Sequence, residues 1–209
     1  MPDATTQGRS ILAEGLDWLY GRVAGDLTTA AVPAGGENDI DHWIRVATTQ
    51  AGAAGFVTNM GGILTLPVAL PASFIGTAAV QMRLIAKIAA ARGYDVTSDE
   101  VKAFVFACLL GNAALDAIKD AGVRIGSRVA PAMLQKLTQT VLSRLLLRFG
   151  ATGAVNFTKV VPFLGGIIGG GVDAASTRVV GRMAKRVFVR KSSPPPLPIT
   201  TPLLAGPQV

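Results

Sequence analysis

The sequence predicts an all-α protein: a multi-helix bundle around a central apolar helical hairpin, which is either buried in protein or inserted in a membrane. Three observations predict it. Apolar residues recur at three- and four-residue spacing between turn signals, and period-2 alternation persists nowhere. The 37 residues from Val46 to Met82 carry no charge, about twice the length of a membrane-crossing helix. Half of the 209 residues are hydrophobic, yet only 6% are aromatic and 24 are glycine. The core must therefore be built from Ala, Val, Leu and Ile on backbones that approach closely. A chain of this length can bury such a core without disulfides or metals.

Ser10 is placed to cap a first helix in which Ile11, Leu12, Leu16, Leu19, Tyr20 and Val23 recur at helical spacing. A linker follows from Thr28 to Glu37, marked by Pro33 and the Gly35–Gly36 pair. Asn38, Asp39 and Asp41 supply capping side chains and dipole-matched charge for a second helix through Trp43 and Val46. Residues 1–38 thus read as an N-terminal helix and linker, and residues 39–191 as the main helical domain. Residues 192–209, with six of the twelve prolines, read as a disordered tail rich in polyproline II.

Within the uncharged run, Gly61–Gly62, Pro67 and Pro71 mark a bent connection between two helical arms. The arms carry Thr48, Thr49, Gln50, Thr58, Asn59, Thr65, Ser73, Thr77 and Gln81, side chains that need partners whether protein or lipid surrounds them. The second arm continues past Arg83 and Lys87 and stops at Gly93, a suitable C′ residue. Thr97-x-x-Glu100 has the form of a capping box for the next helix. That helix, Val101 to about Leu110, is apolar on nearly every side and should be buried, and Gly111–Asn112 should break or bend it. After Pro131, Leu134, Leu137, Val141, Leu142, Leu145 and Phe149 form one stripe of a helix expected to end at Gly150. The last helix should start near Pro162, where the missing N–H costs nothing.

Five glycines follow in seven residues. Each weakens a helix by about 1 kcal/mol relative to Ala, which makes sense if another backbone packs on them. Gly165, Gly166, Gly169 and Gly170 have small-xxx-small spacing and are the expected helix-packing positions. A flexible glycine loop is the other reading.

The side chains needed for catalysis or metal binding are scarce. His42 is the only imidazole, it sits beside Asp39 and Asp41, and no nucleophile elbow accompanies it. Cys108 lies in an apolar segment with no cation to lower its pKa, and CxxC pairs and His clusters are absent. The glycine cluster follows no strand and lacks the P-loop lysine and hydroxyl. Asp116 and Asp120 flank Lys119, so an exposed ion pair is the simple expectation there. No catalytic set, metal site or cofactor is expected.

Charge is more informative. Residues 1–120 hold eight basic and twelve acidic side chains, net −4, whereas residues 121–209 hold twelve basic and one acidic, net +11. At 100° per residue, Arg178, Arg182, Lys185, Arg186 and Arg190 fall within an arc of about 140°, opposite Val180, Met183, Ala184, Val187 and Phe188. Such a basic amphipathic helix suits an anionic membrane surface or an acidic partner, and a merely solvated face is the alternative. Nucleic acid is disfavoured because no aromatic stacking platform accompanies the charge. In the tail, Pro195-Pro196-Leu197-Pro198 is a PxxP without the flanking basic residue at Ser192.

Leu66-Pro67 and Leu70-Pro71 in GGILTLPVALP, Arg83-Leu84-Ile85 leading to Gly93-Tyr94-Asp95, and a final block together resemble the EcsC protein family. That block runs from Pro162-Phe163-Leu164-Gly165-Gly166 through Gly169-Gly170-Gly171-Val172-Asp173, Thr177, Gly181 and Ala184 to Phe188. The similarity covers roughly residues 40–190, and the family pattern has Asn where this chain has Asp173. The resemblance implies a helical protein without an established enzymatic activity, in a family named after a gene neighbouring a bacterial ABC transporter. Met1 to Gly15 lacks the apolar core of a signal peptide and carries Asp3, Arg9 and Glu14. The expectation is therefore a non-catalytic protein on the cytosolic face of the membrane, held by the basic helix and by the hairpin if it inserts. A soluble scaffold with wholly internal apolar helices is the rival.

Overall fold

The computed structural model describes residues 4–30, 32, 34–60, 72–127, 129–153 and 162–190. Regular structure among them is entirely helical, as the periodicity predicts: α1 (Ala4–Thr29), α2 (Glu37–Met60), α3 (Ala72–Ala91), α4 (Asp99–Cys108), α5 (Ala114–Ala121), α6 (Pro131–Gly153) and α7 (Pro162–Val187), with a 3-10 turn at Gly111–Ala113. The bent connection expected at 61–71 and the proline-rich tail lie outside the described residues.

α2 and α7 form the most extensive helix pair, and α3 packs on both. The pair is antiparallel. Lys185 meets Glu37 and Asp41 at one end, Gly181 faces Ile44 in the middle, and Gly52 faces Gly170 and Ala174 at the other end. α3 in turn separates this pair from α1, which packs on α3 and α6, while α5 packs on α6. α4 fills the centre, as its apolar surround predicts: Phe104, Val105, Phe106, Ala107 and Cys108 are all buried. Tyr20 of α1 packs edge-on against Phe106 with centroids 5.7 Å apart, and its hydroxyl donates to the Val96 carbonyl at 2.7 Å. Burial raises the Tyr20 pKa above the ordinary phenol range.

Several helix ends fall where sequence signals put them. Gly93 sits at φ 85°, a conformation that glycine adopts without a Cβ clash. The Gly93 N–H donates to the Ala90 carbonyl and the Tyr94 N–H to the Ala89 carbonyl, closing α3 in a Schellman motif. α7 begins at Pro162, and the five glycines are helical rather than a loop. α2 begins at Glu37, with the Asp39 carboxylate accepting from the Gly36 N–H at 2.9 Å.

Three expected ends are corrected. α1 starts at Ala4, so Ser10 lies inside the helix instead of capping it. α6 continues through Gly150 to Gly153; one glycine weakens a helix without terminating it. The N-cap of α4 is Ser98, whose Oγ accepts from the Val101 N–H, and not Thr97. The Asp95 carboxylate takes both the N–H and the hydroxyl of Thr97 at 2.8 and 2.6 Å, an Asx turn that consumes the threonine before it can cap. Glu100, freed from a capping box, accepts from the Gly126 N–H at 2.8 Å.

Candidate functional site

The expected basic face lies on the outward side of α7, with one correction: the helix ends at Val187, so Arg190 stands in the segment just beyond it. The structure also divides the five members. Arg178, Arg182, Arg186 and Arg190 are exposed, with no acidic partner among the described residues. Lys185 is corrected out of the free set. Its ammonium lies 2.6 Å from Asp41 Oδ1 and 2.8 Å from Glu37 Oε2, and its side chain keeps only 23% exposure. The hydrogen bonds to Asp41 and Glu37 raise the Lys185 pKa. The bonds from Lys185 and then Arg92 hold the Glu37 carboxyl below the usual carboxylate range. Arg92 of the α3 end binds the same Glu37. One turn of α7 is thus clasped to the start of α2 by a charge-balanced group of two cations and two carboxylates. Just beyond it, the Tyr94 hydroxyl donates to the Val189 carbonyl at 2.8 Å and its ring packs on Phe188, fixing the end of the arginine-bearing segment.

The antiparallel register adds a residue that sequence reasoning missed. With Asp41 opposite Lys185 and Ile44 opposite Gly181, exposed Arg45 of α2 stands level with the turn between Arg178 and Arg182. Beyond Asp41, α2 has no acidic residue, and the one acid of α7, Asp173, bonds to Thr77 of α3 instead of facing out. Beyond Asp41 the outer face of the α2–α7 pair is therefore of one sign, with Arg45, Arg178 and Arg182, while Arg186 and Arg190 continue the row beside the half-exposed Asp41 and Glu37 of the Lys185 clasp. Exposed apolar side chains stand beside these arginines, Val46 next to Arg45, Val189 next to Arg190 at 64% exposure, and Val172 at 60%.

Beneath this face, close backbone approach explains part of the small-residue usage. A Cβ on Gly52 would lie 3.3 Å from Ala174 Cβ and 3.4 Å from the Gly170 carbonyl oxygen. Gly170 is buried and Gly169 half-buried, while the surroundings of Gly165 and Gly166, both helical, lie outside the described residues. Gly52 and Gly181 are contact glycines that the spacing argument did not single out, because each faces a helix far away in sequence.

Among the polar side chains of the uncharged run, Thr49, Thr77 and Gln81 find partners in protein, whereas Thr48 Oγ1 is buried with none among the described residues. Gln81 Nε2 donates to Ser176 Oγ at 3.0 Å and to Thr177 Oγ1 at 3.2 Å, and Thr177 is fully buried. Burial pushes the Asp173 carboxyl up, against the pull of its bond with Thr77. Among the described residues no helix is long and apolar enough to cross a membrane.

Elsewhere, His42 is exposed, and Cys108 is buried with its thiol pKa pushed up by desolvation, opposite to what nucleophilic activation requires. Asp120 does not pair with Lys119; it takes the Arg144 guanidinium of α6 at 2.6 Å, because Arg144 also reaches the Ala113 carbonyl and is held there. A cavity of about 280 Å³ between α1, α4 and α6 is lined by Asp17, Lys102, Phe106 and Leu134. Its lysine is neutralised by Asp17 at 3.6 Å and Asp99 at 3.3 Å.

These features define a small helical-bundle protein with an arginine-rich face on an antiparallel helix pair. The model of the EcsC protein family matches residues 36–191, and the chain belongs to that family. No curated protein and no solved structure matches it. The matched span contains the whole α2–α7 pair, and α1 precedes it.

Proposed function

We propose that this EcsC-family protein is a non-catalytic, membrane-peripheral protein of the cytosolic face, which docks on anionic lipid through the outer surface of α2 and α7. The observation that carries the reading is the arginine set Arg45, Arg178, Arg182, Arg186 and Arg190, exposed on α2, on α7 and just beyond the end of α7, none of them in an ion pair among the described residues. Each such charge near an anionic bilayer contributes about 1 kcal/mol. Guanidinium groups suit phosphates because they donate bidentately. The adjoining Val46, Val172 and Val189 offer apolar contact at the acyl boundary, the arrangement of an interfacial amphipathic surface. The burial of Cys108, which pushes its thiol pKa up, and the exposure of the lone imidazole of His42 support the absence of catalysis in this reading.

Flotation of the purified chain with vesicles of neutral lipid, and with vesicles containing phosphatidylserine, tests it. Binding should require the anionic lipid and should fall as salt screens the arginines. Failure to bind anionic vesicles at low salt would leave the soluble-adaptor reading, which is favoured by the burial of Gln81 and Thr177 in protein.

A further inference from the structure

We infer that the outward face of α1 is self-complementary and pairs two copies of the chain in antiparallel register, Trp18 of each copy seated over Gly15 of the other. α1 buries Leu12, Leu16, Tyr20, Val23 and Leu27 against the bundle. On its opposite side, at spacings of three and four, stand Ile11, Gly15, Trp18, Arg22 and Gly25, all exposed. Trp18 is 62% exposed and Ile11 40%, and the Arg22 guanidinium stands 5.4 Å from the Trp18 ring centroid. Two large apolar side chains on one outward stripe have no cover among the described residues. The charges beside them, Glu14 and Arg22, are exposed and enter no ion pair among the described residues.

The shape of the face selects a second copy. A Cβ added at Gly15, Gly21 or Gly25 would meet nothing within 4 Å, so packing within one chain does not require glycine there. α1 runs from Ala4 to Thr29, with its midpoint between Leu16 and Asp17. Two antiparallel copies overlapping along their whole length then set Trp18 against Gly15 of the partner subunit, and Ile11 against the stem of Arg22 of the partner subunit. Two-fold symmetry repeats each large-on-small contact. Charges agree with the same register: Glu14 comes within about 4.5 Å, along the axis, of Arg22 of the partner subunit at a rise of 1.5 Å per residue. Parallel pairing would instead stack tryptophan on tryptophan and Arg22 on Arg22. Because α3 separates α1 from the α2–α7 pair, the dimer leaves the arginine face open. One helix pair covers less than the roughly 1,600 Å² of a standard interface, so the dimer forms in a concentration-dependent equilibrium.

Analytical ultracentrifugation of the full chain over a wide concentration range tests this. The chain should pass from monomer to dimer, and Gly15→Leu and Trp18→Ala should hold it as monomer. Glu14→Arg and Arg22→Glu should each weaken association about tenfold, and the double variant Glu14→Arg with Arg22→Glu should regain it. Far-ultraviolet circular dichroism of each variant should stay that of the wild type, since these side chains are exposed. A wild type monomeric throughout overturns the proposal, and so does a dimer indifferent to Gly15→Leu. Two weakened single charge variants whose combination is no tighter overturn it as well.

Discussion

Gly181 and Ile44 stand so close that a Cβ on the glycine would lie 2.8 Å from Ile44 Cγ1 and 3.1 Å from Leu84 Cδ2. At this point α7 touches α2 and α3 together, and both neighbours are buried, so neither can swing away freely. Gly181→Ala should therefore cost about 1–3 kcal/mol as an overpacked core site, despite alanine's better helix propensity. Gly171 offers the opposite case, an exposed helical position with nothing within 4 Å of an added Cβ. Gly171→Ala should stabilise by up to about 1 kcal/mol. Urea melts of the two variants should move in opposite directions, and movement in the same direction would refute the contact as described.

The Lys185 clasp makes stability depend on pH at both extremes. The Glu37 pKa is lowered in the fold, so its contribution is complete above its unfolded value, about 4.3, and is lost as pH falls through the folded value. The Lys185 pKa is raised. Its contribution is complete below about 10.4 and is lost as pH rises through the folded value. Lys185→Gln should lower stability by roughly 1 kcal/mol at neutral pH, and the gap from wild type should shrink below about pH 4. Thermal melts across pH measure this, and a gap independent of pH would assign Lys185 a packing role only.

Asp173 carries the reverse sign. Its folded pKa is raised, chiefly by burial, so ionisation disfavours the folded state and stability falls as pH rises through that value. Asp173→Asn keeps an oxygen for Thr77 and removes the charge. Its melting temperature should exceed the wild type's by roughly 1–3 °C at pH 7, and the difference should fade towards pH 4. A variant less stable than wild type at pH 7 would mean that the ionised carboxylate is compensated by a partner.

Changing Arg178, Arg182, Arg186 and Arg190 together to Gln should weaken binding to anionic vesicles at low salt by roughly several hundredfold, at about 1 kcal/mol for each charge. Adding Arg45→Gln should weaken it further. Lys185→Gln should leave it within about twofold, because that charge is already spent on Asp41 and Glu37. Vesicle sedimentation separates these outcomes, and equal losses for Lys185 and for a single arginine would contradict the division of the face.

What could be read in the chain before its fold was known followed from local physics. α4 is apolar on nearly every side and buried from Ala103 to Cys108, Gly93 closes α3 with a positive φ, and Pro162 opens α7. The pairing of Lys185 is not legible locally, for a definite reason. Periodicity places it on the arginine arc, and the acid that neutralises it, Asp41, lies 144 residues earlier. Arg45 was missed for the same reason, since only the antiparallel register of α2 and α7 brings it level with Arg178 and Arg182. The cap of α4 failed locally: Thr97 and Ser98 are both competent caps, and Asp95 decides between them by taking the threonine.

The pairing of α2 with α7 also has a cost during synthesis. The ribosome completes α2 long before it makes the helix that covers it, and 144 residues at about 5–20 residues per second amount to roughly 7–30 s. For that interval α2 lacks its principal partner, and α3 is the helix already made that packs on it. A chain arrested after Gly153 should consequently be cleaved by protease within α2, where the finished protein resists. The segment most dependent on its own C-terminal partner is thus the one most in need of a chaperone, or of a nearby bilayer, while translation lasts.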